Sequence, residues 1–160
     1  MMIVPFAYGE VEYKVSRLRY QWWDKASFPV TLHTIGYTHT QKHLDLSVKY
    51  GNSTRERNEL NTSYRDIDNQ IKHLFSFGAG GRYRINRFSF VAGGLYTEYK
   101  EVINGKSYPD TGFGYYYGLQ YEIDETASIK LSFDHYYSKD KEGHGREVTE
   151  GTGISIVMLK

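Results

Sequence analysis

The sequence predicts an all-β chain, an eight-stranded antiparallel transmembrane β-barrel with short periplasmic turns and long extracellular loops. Two observations carry that expectation. Apolar residues fall on every second position through most of the chain, and the connections between such segments alternate between very short and long. A barrel threaded back and forth through a bacterial outer membrane needs both features, since strand side chains alternate between lipid and interior while the two barrel ends carry turns of different length.

The alternation is clearest in the C-terminal half. Over residues 112–123 the odd positions are Phe113, Tyr115, Tyr117, Leu119, Tyr121 and Ile123, and the even ones are small or polar apart from Tyr116. From Ala127 the pattern returns, with Ile129, Leu131, Phe133, His135 and Tyr137 set against Ser128, Lys130, Ser132, Asp134 and Tyr136. A helical period fits neither segment. Residues 74–85 place Phe75, Phe77, Ala79, Tyr83 and Ile85 opposite Ser76, Gly78, Gly80, Arg82 and Arg84. That length suits a tilted membrane strand, for which about 9–11 residues suffice. Residues 88–99 form the next strand, with Phe88, Phe90, Ala92, Gly94 and Tyr96 outward, although Val91 and Leu95 on the opposite face blur its phase. Residues 43–51 alternate Leu44, Leu46, Val48 and Tyr50 with Asp45, Ser47, Lys49 and Gly51. Weaker alternation over 30–40, 8–16 and 152–159 brings the expected count to about eight.

The connections sort accordingly. Residues 40–42, 86–87 and 124–126 read as tight periplasmic turns, with both termini on that side. Residues 17–29, 52–70, 100–111 and 139–150 read as long, charged extracellular loops.

Composition agrees. The 160 residues form a single expected domain, 1–160, without a linker or repeat. A net charge of +1 with interspersed acids and bases gives no basic stripe for nucleic acid. A mean hydropathy of -0.61 and no long apolar run argue against a transmembrane helix, yet suit a barrel whose strands are half polar. Zero cysteines exclude a disulfide scaffold. Met2 to Ala7 is apolar but too short for a secretion signal, so the chain reads as mature behind an added methionine, or as carrying the end of a leader.

These residues also match a family. Tyr83-Arg84-Ile85-Asn86 with the Gly-rich apolar strand after it, Gly112-Phe113-Gly114-Tyr115, Gly118-Leu119-Gln120-Tyr121 and Leu131-Ser132-Phe133-Asp134 resemble the Ail/Lom/OmpX family of small outer-membrane barrels. The resemblance spans residues 72–138 and rests on strand and turn motifs. It implies eight strands, four surface loops and an association with host-cell adhesion, invasion and complement resistance. Family members end in an aromatic residue, whereas this chain ends Met158-Leu159-Lys160, with parity assigning Lys160 to a lipid-facing position.

So narrow a barrel is filled by side chains. Arg82, Arg84, Lys49 and Lys130, with Asp45, Glu122 and Asp134, are therefore expected to neutralise one another inside, because buried charges persist only when paired. Gly78 and Gly80 relieve crowding there. Catalytic candidates are poor: His135 and Ser138 differ in parity and point to opposite faces, so they cannot form a nucleophile and base pair. His135 and Tyr137 belong instead to an interfacial aromatic girdle, and no metal site or cofactor is expected, His33 and His39 sharing only parity. Alternating charge in Arg55-Glu56-Arg57 reads as solvated loop.

The expected function is that of a non-enzymatic surface barrel whose loops mediate adhesion. The candidate ligand-binding residues are Arg17, Arg19, Trp22, Trp23, Lys25, Tyr64, Arg65 and Tyr108, since aromatic and Arg residues dominate interface energetics. Trp22-Trp23 fits a rim anchor or a contact residue equally. Expected partners are outer-membrane lipid and lipopolysaccharide, together with host cell-surface, matrix or complement-regulatory proteins, the barrel being a monomer. Two alternatives remain at this point: a lipid-modifying outer-membrane enzyme, and a soluble small-ligand barrel with its Phe, Ile and Leu face turned inward.

Overall fold

Alternation becomes architecture in the computed structural model, which describes residues 7–21, 27–58, 67–139 and 145–159. The strands are β1 (Ala7–Gln21), β2 (Ser27–Gln41), β3 (Leu44–Ser53), β4 (Glu56–Asn58), β5 (Ile67–Ile85), β6 (Phe88–Ile103), β7 (Lys106–Glu122), β8 (Ala127–Lys139) and β9 (Gly145–Leu159). They run β3-β2-β1-β9-β8-β7-β6-β5-β4, and β3 also pairs with β5, closing the sheet on itself. Because β3 and β4 both pair with β5, they are two pieces of one broken stave, and the barrel has eight. All pairings are antiparallel. Among the described residues no helix is long and apolar enough to cross a membrane.

The predicted phase holds in the five strands for which the sequence assigns one. Phe113 is 70% exposed, Leu131 42% and Ile154 63%, while Ser132, Gln120 and Ser155 between such positions are buried. The weakly signalled segments are strands as well, and in β6 both Val91 and Leu95 point inward. Large apolar side chains therefore face out, which removes the soluble small-ligand reading. Aromatic pairs lie near both ends of the belt, Phe88–Tyr121 at 5.0 Å below and Tyr96–Phe113 at 5.1 Å above, with Ile, Leu and Val between. Such girdles mark the two faces of a bilayer.

Turn chemistry fixes the lower end. Lys42 and Asn86 adopt positive φ of 58° and 54° in the β2–β3 and β5–β6 turns, a region Asn tolerates well. Between β7 and β8 the Asp124 carboxylate accepts hydrogen bonds from the Thr126 N–H at 2.7 Å and the Ala127 N–H at 2.9 Å. Those bonds, led by the one from the Thr126 backbone, hold the Asp124 carboxyl below its usual range.

The predicted extracellular loops need correction. Residues 100–111 are no loop: β6 and β7 continue to Ile103 and Lys106 and meet in a two-residue turn, Asn104 and Gly105, with φ of 48° and 81°. The strands likewise run past residue 16 to Gln21 and begin at Ser27, Ile67 and Gly145, ahead of the expected starts, so the predicted loops 17–29, 52–70 and 139–150 are partly strand. Apolar alternation ends where the membrane ends, but main-chain pairing continues into water, so the ladder outlasts the pattern.

Inside, the charges pair as expected in kind, though with different members. Arg82 forks onto Glu10 with two 2.7 Å bonds and reaches Asp45 at 3.0 Å, and Gln120 donates to Glu10 at 3.1 Å. Lys130 pairs with Glu12, which also accepts the Ser155 hydroxyl at 2.6 Å, and Lys14 pairs with Asp134. The Lys49 ammonium lies 5.7 Å from the Tyr116 ring centroid. Arg84 and Glu122 bridge each other at the periplasmic rim, where the strand has left the interior, and so are not core groups. Glycine provides room: a Cβ on Gly80 would lie 2.4 Å from the Tyr116 hydroxyl, and one on Gly153 would lie 2.2 Å from Lys14 Cε. Above this polar layer Leu18, Val30, Leu32, Ile71, Leu74, Tyr99 and Tyr136 form an apolar cluster toward the upper strand ends.

Opposite tolerances follow for neighbouring residues of β8. Leu131→Arg places charge in mid-belt and should destabilise by roughly 2–4 kcal/mol. Ser132→Ala should do little, because the buried Ser132 hydroxyl makes no hydrogen bond. Reversible folding into lipid, followed by urea titration of both variants, measures the difference.

Candidate functional site: the extracellular rim

With the short turns, the start of β1 and the end of β9 at the periplasmic side, the opposite end carries the ends of β1 and β8, the starts of β2 and β9, the segment after β3 and the Asn104-Gly105 hairpin. β5, β6 and β7 rise together past the upper aromatic girdle. This rim is where any contact with the cell exterior must occur.

Its geometry replaces the missing upper part of β3 with side chains. β3 ends at Ser53, paired with Leu32 of β2, and the Thr54 N–H then donates to the Thr31 carbonyl at 3.2 Å. One rung higher, Glu56 of β4 supplies a carboxylate in place of a strand. Its Oε1 accepts the Thr31 N–H at 2.6 Å and the Arg17 guanidinium at 2.7 Å, while Arg17 also donates to the Thr31 hydroxyl at 2.7 Å. Burial pushes the Glu56 carboxyl upward, but the hydrogen bonds from Thr31 and then Arg17 outweigh it and leave Glu56 below its usual range. Beside this latch, Arg55 forks onto Asp68, and the Asp68 N–H donates to the Asn104 side chain at 2.9 Å. The β4 segment is thereby tied to β2 on one side and to the β6–β7 tip on the other.

The predicted binding residues distribute unevenly. Arg17 faces outward at the top of β1, its side chain half exposed, with its guanidinium in the latch. Arg19 pairs with Pro29 in the β1–β2 ladder. Tyr108 is half-buried on β7, opposite Glu101, in a strand and not in a loop. Trp22, Trp23, Lys25, Tyr64 and Arg65 lie outside the described residues. Sequence reasoning missed Glu56, Arg55 and Asp68; Arg55 and Glu56 were expected to be merely solvated and instead hold defined partners. Their partners sit on other strands, so no local signal exposes them. Asn104-Gly105 did carry one, being a strong two-residue hairpin signal.

Two histidines lie on the outward faces of their strands. His135 stacks on Tyr115 with centroids 4.7 Å apart, within the upper girdle as expected. His33 is hydrogen-bonded through Nδ1 to the Tyr13 hydroxyl at 2.8 Å. Among the described residues no cluster of His, Asp or Glu could hold a metal ion.

The fold and its apolar belt define the class: a transmembrane β-barrel of the bacterial outer membrane. No family model matches the chain, and no curated protein matches it. Solved structures do. Neisserial surface protein A aligns with a TM-score of 0.72 at 13% identity, over 96% of this chain and 98% of that one. Ail, the attachment invasion locus protein of Yersinia pestis, aligns at 0.55 and 19%, over 96% of each. The N-terminal barrel domain of Pseudomonas aeruginosa OprF aligns at 0.53 and 15%, over 94% and 97%. The chain thus has the fold of the small outer-membrane barrels to which Ail and NspA belong, in line with the resemblance its β5–β8 motifs carry.

The latch generates a pH-dependent expectation. A carboxyl held low stabilises the rim above the ordinary glutamate range of about 4.3 and loses that contribution as pH falls through its folded value. Glu56→Gln should raise hydrogen exchange of the Thr31 amide at neutral pH by about fivefold, as expected for a partly exposed charge-assisted bond worth about 1 kcal/mol. NMR exchange rates in lipid nanodiscs check it; unchanged Thr31 protection would show that Glu56 does not hold the rim.

Proposed function

We propose that this chain is a non-enzymatic surface barrel whose extracellular connections bind host cell-surface, matrix or complement-regulatory molecules. The observation that carries the reading is the division of labour along the strands. Within the membrane the interior is filled by paired charges and closed above by the Leu18, Val30, Leu32, Ile71 and Tyr99 cluster. Beyond the girdle β5, β6 and β7 continue outward, and the Glu56 and Asp68 contacts brace the connections. A rigid scaffold with elaborated outer connections is the usual arrangement for binding on loops.

Chemistry at the rim supports ligands with negative charge. Arg17, Arg19, Lys25 and Arg65 supply cations, and Trp22, Trp23, Tyr64 and Tyr108 supply aromatic surface for contact. Ail has been solved with the heparin analogue sucrose octasulfate, which makes sulfated glycans the first ligands to try. Lipid and lipopolysaccharide would surround the belt, with the barrel working as a monomer.

Replacing residues 22–26 or 59–66, which connect the strands, with short Gly/Ser turns tests the reading. The barrel should still fold, since exposed connections contribute little burial and tolerate length changes. Binding of the intact protein in nanodiscs to heparin, matrix proteins and serum regulators should then fall, most for the replacement that removes Trp22 and Trp23. Undiminished binding by both variants would overturn the proposal, and a change in lipid A mass that depends on His135 would favour a lipid-modifying enzyme.

A further inference from the structure

On the outer face of β5 and β6 the apolar belt is hollowed. Outward positions around the barrel carry mostly Phe, Tyr, Leu or Ile, whereas the cross-strand pairs Gly81–Ala92 and Ala79–Gly94 carry almost no side chain. Gly81 and Ala92 floor a cleft of about 630 Å³ walled by His43, Tyr83, Phe90 and Tyr117. Directly above, Ala79 and Gly94 floor a second hollow of about 730 Å³, bounded by Tyr37, Phe77 and Tyr96. Each falls within the range of roughly 300–1,000 Å³ usual for a ligand site.

Neither space nor backbone geometry requires glycine at 81 or 94. On the inward face a Cβ at Gly80 or Gly93 would strike main-chain oxygen at 2.4 or 2.3 Å, so those positions must stay bare. A Cβ on Gly81 would come no nearer than 3.8 Å to the His43 carbonyl, and one on Gly94 no nearer than 3.8 Å to that of Gly114. Neither glycine has a positive φ. No aromatic ring covers them either, in contrast to Gly9, where a Cβ would lie 2.4 Å from the Tyr37 hydroxyl. Glycine weakens a strand interior and often marks a close approach by a ligand. The hollow is therefore shaped for something outside the chain.

Charge identifies the occupant. The lower cleft lies just above the Phe88–Tyr121 end of the belt, in its periplasmic half, and aromatic girdles sit at headgroup level. His43, in its wall, donates Nδ1–H to the Arg82 carbonyl at 3.2 Å. Lys42 beside it in the β2–β3 turn, and Arg87 in the β5–β6 turn below Phe90, are exposed and make no ion pair among the described residues. The remaining short turn, between β7 and β8, carries Asp124 and Glu125 instead. We propose that this cleft seats one phospholipid of the periplasmic leaflet, an acyl chain lying over Gly81 and Ala92 and the phosphate held by Lys42 and Arg87. Basic residues at a bilayer surface attract anionic lipid, so phosphatidylglycerol is preferred to phosphatidylcholine. The inference rests on the belt lying in the outer membrane and is independent of what the loops bind.

Native mass spectrometry of the full chain, released from micelles holding equal amounts of phosphatidylglycerol and phosphatidylcholine, counts the lipids retained. The parent should keep one phosphatidylglycerol. Lys42→Asn, which suits the positive φ at that turn, and Arg87→Gln should each lower its retention about fivefold, the effect of one surface cation on anionic lipid. Gly81→Leu fills the cleft and should remove the bound lipid while leaving resistance to urea equal or higher, a combination that damage to the barrel would not give. Ala92→Leu repeats that test if Gly81→Leu fails to fold, as judged by heat-modifiable gel mobility, and the two turn variants stand independently of both. Retention that survives filling of the cleft, or equal retention of the two lipids by the parent, would overturn the proposal. So would parental dimers that disappear in Gly81→Leu, which would assign the cleft to a second copy of the chain.

Discussion

Hydrocarbon offers no partner to a peptide N–H or C=O, and nearly everything in this molecule follows from that constraint. For a chain built of strands, only a closed ladder satisfies each group without water. Closure requires the extra β3–β5 pairing, which turns an open sheet into a barrel. With the backbone occupied, side chains divide strictly by parity between lipid and lumen. Where the membrane stops, the constraint lapses, and it is there that β3 breaks before β4 and the ladders end at unequal heights.

Closure creates a second problem, since an eight-stranded barrel is too narrow for a water-filled lumen and must pack its polar face against itself. Glu10, Glu12, Asp45 and Asp134 meet Lys14, Lys49, Arg82 and Lys130, so the signs balance. Geometry decides whether such groups are tolerated, because a buried ion without a partner costs far more than a pair contributes. The bidentate Arg82–Glu10 contact, joined by Asp45 and Gln120, ties β5 to β1, β3 and β7 across the lumen. Those cross-lumen bonds make the scaffold stiff, and a stiff scaffold is what the rim connections need in order to present a fixed surface.

Much of this was legible in the sequence, and the failures have physical causes. Phe113 to Ile123 and Ile129 to Tyr137 gave strand, phase and face at once, because one side of each strand meets lipid and nothing else. β1 was only faintly visible: its outward face mixes Val11, Tyr13 and Val15 with Gly9 and Arg17, and its inward face is charged, so Glu10, Glu12 and Lys14 were overlooked as core groups. Their partners are remote; Lys14 and Asp134 are 120 residues apart, a pairing no local pattern encodes. The rim was hardest to read, since strand pairing there is held by main-chain bonds and by carboxylates such as Glu56, neither of which imposes an apolar period. Five of the eight proposed contact residues, Trp22 and Trp23 among them, fall outside the described residues, so their role rests on composition.

The orientation of the apolar face is the claim on which fold, class and proposed function all depend, and fluorescence quenching measures it directly. Single cysteines at Phe113, Leu131 and Phe133, labelled with an environment-sensitive probe in lipid vesicles, should be quenched by bilayer-dissolved brominated lipid and ignored by aqueous iodide. Labels at Ser107 and Asn104 should show the reverse. Probes at Leu131 and Phe133 that are shielded from lipid, in a chain that is monodisperse without detergent, would contradict the account.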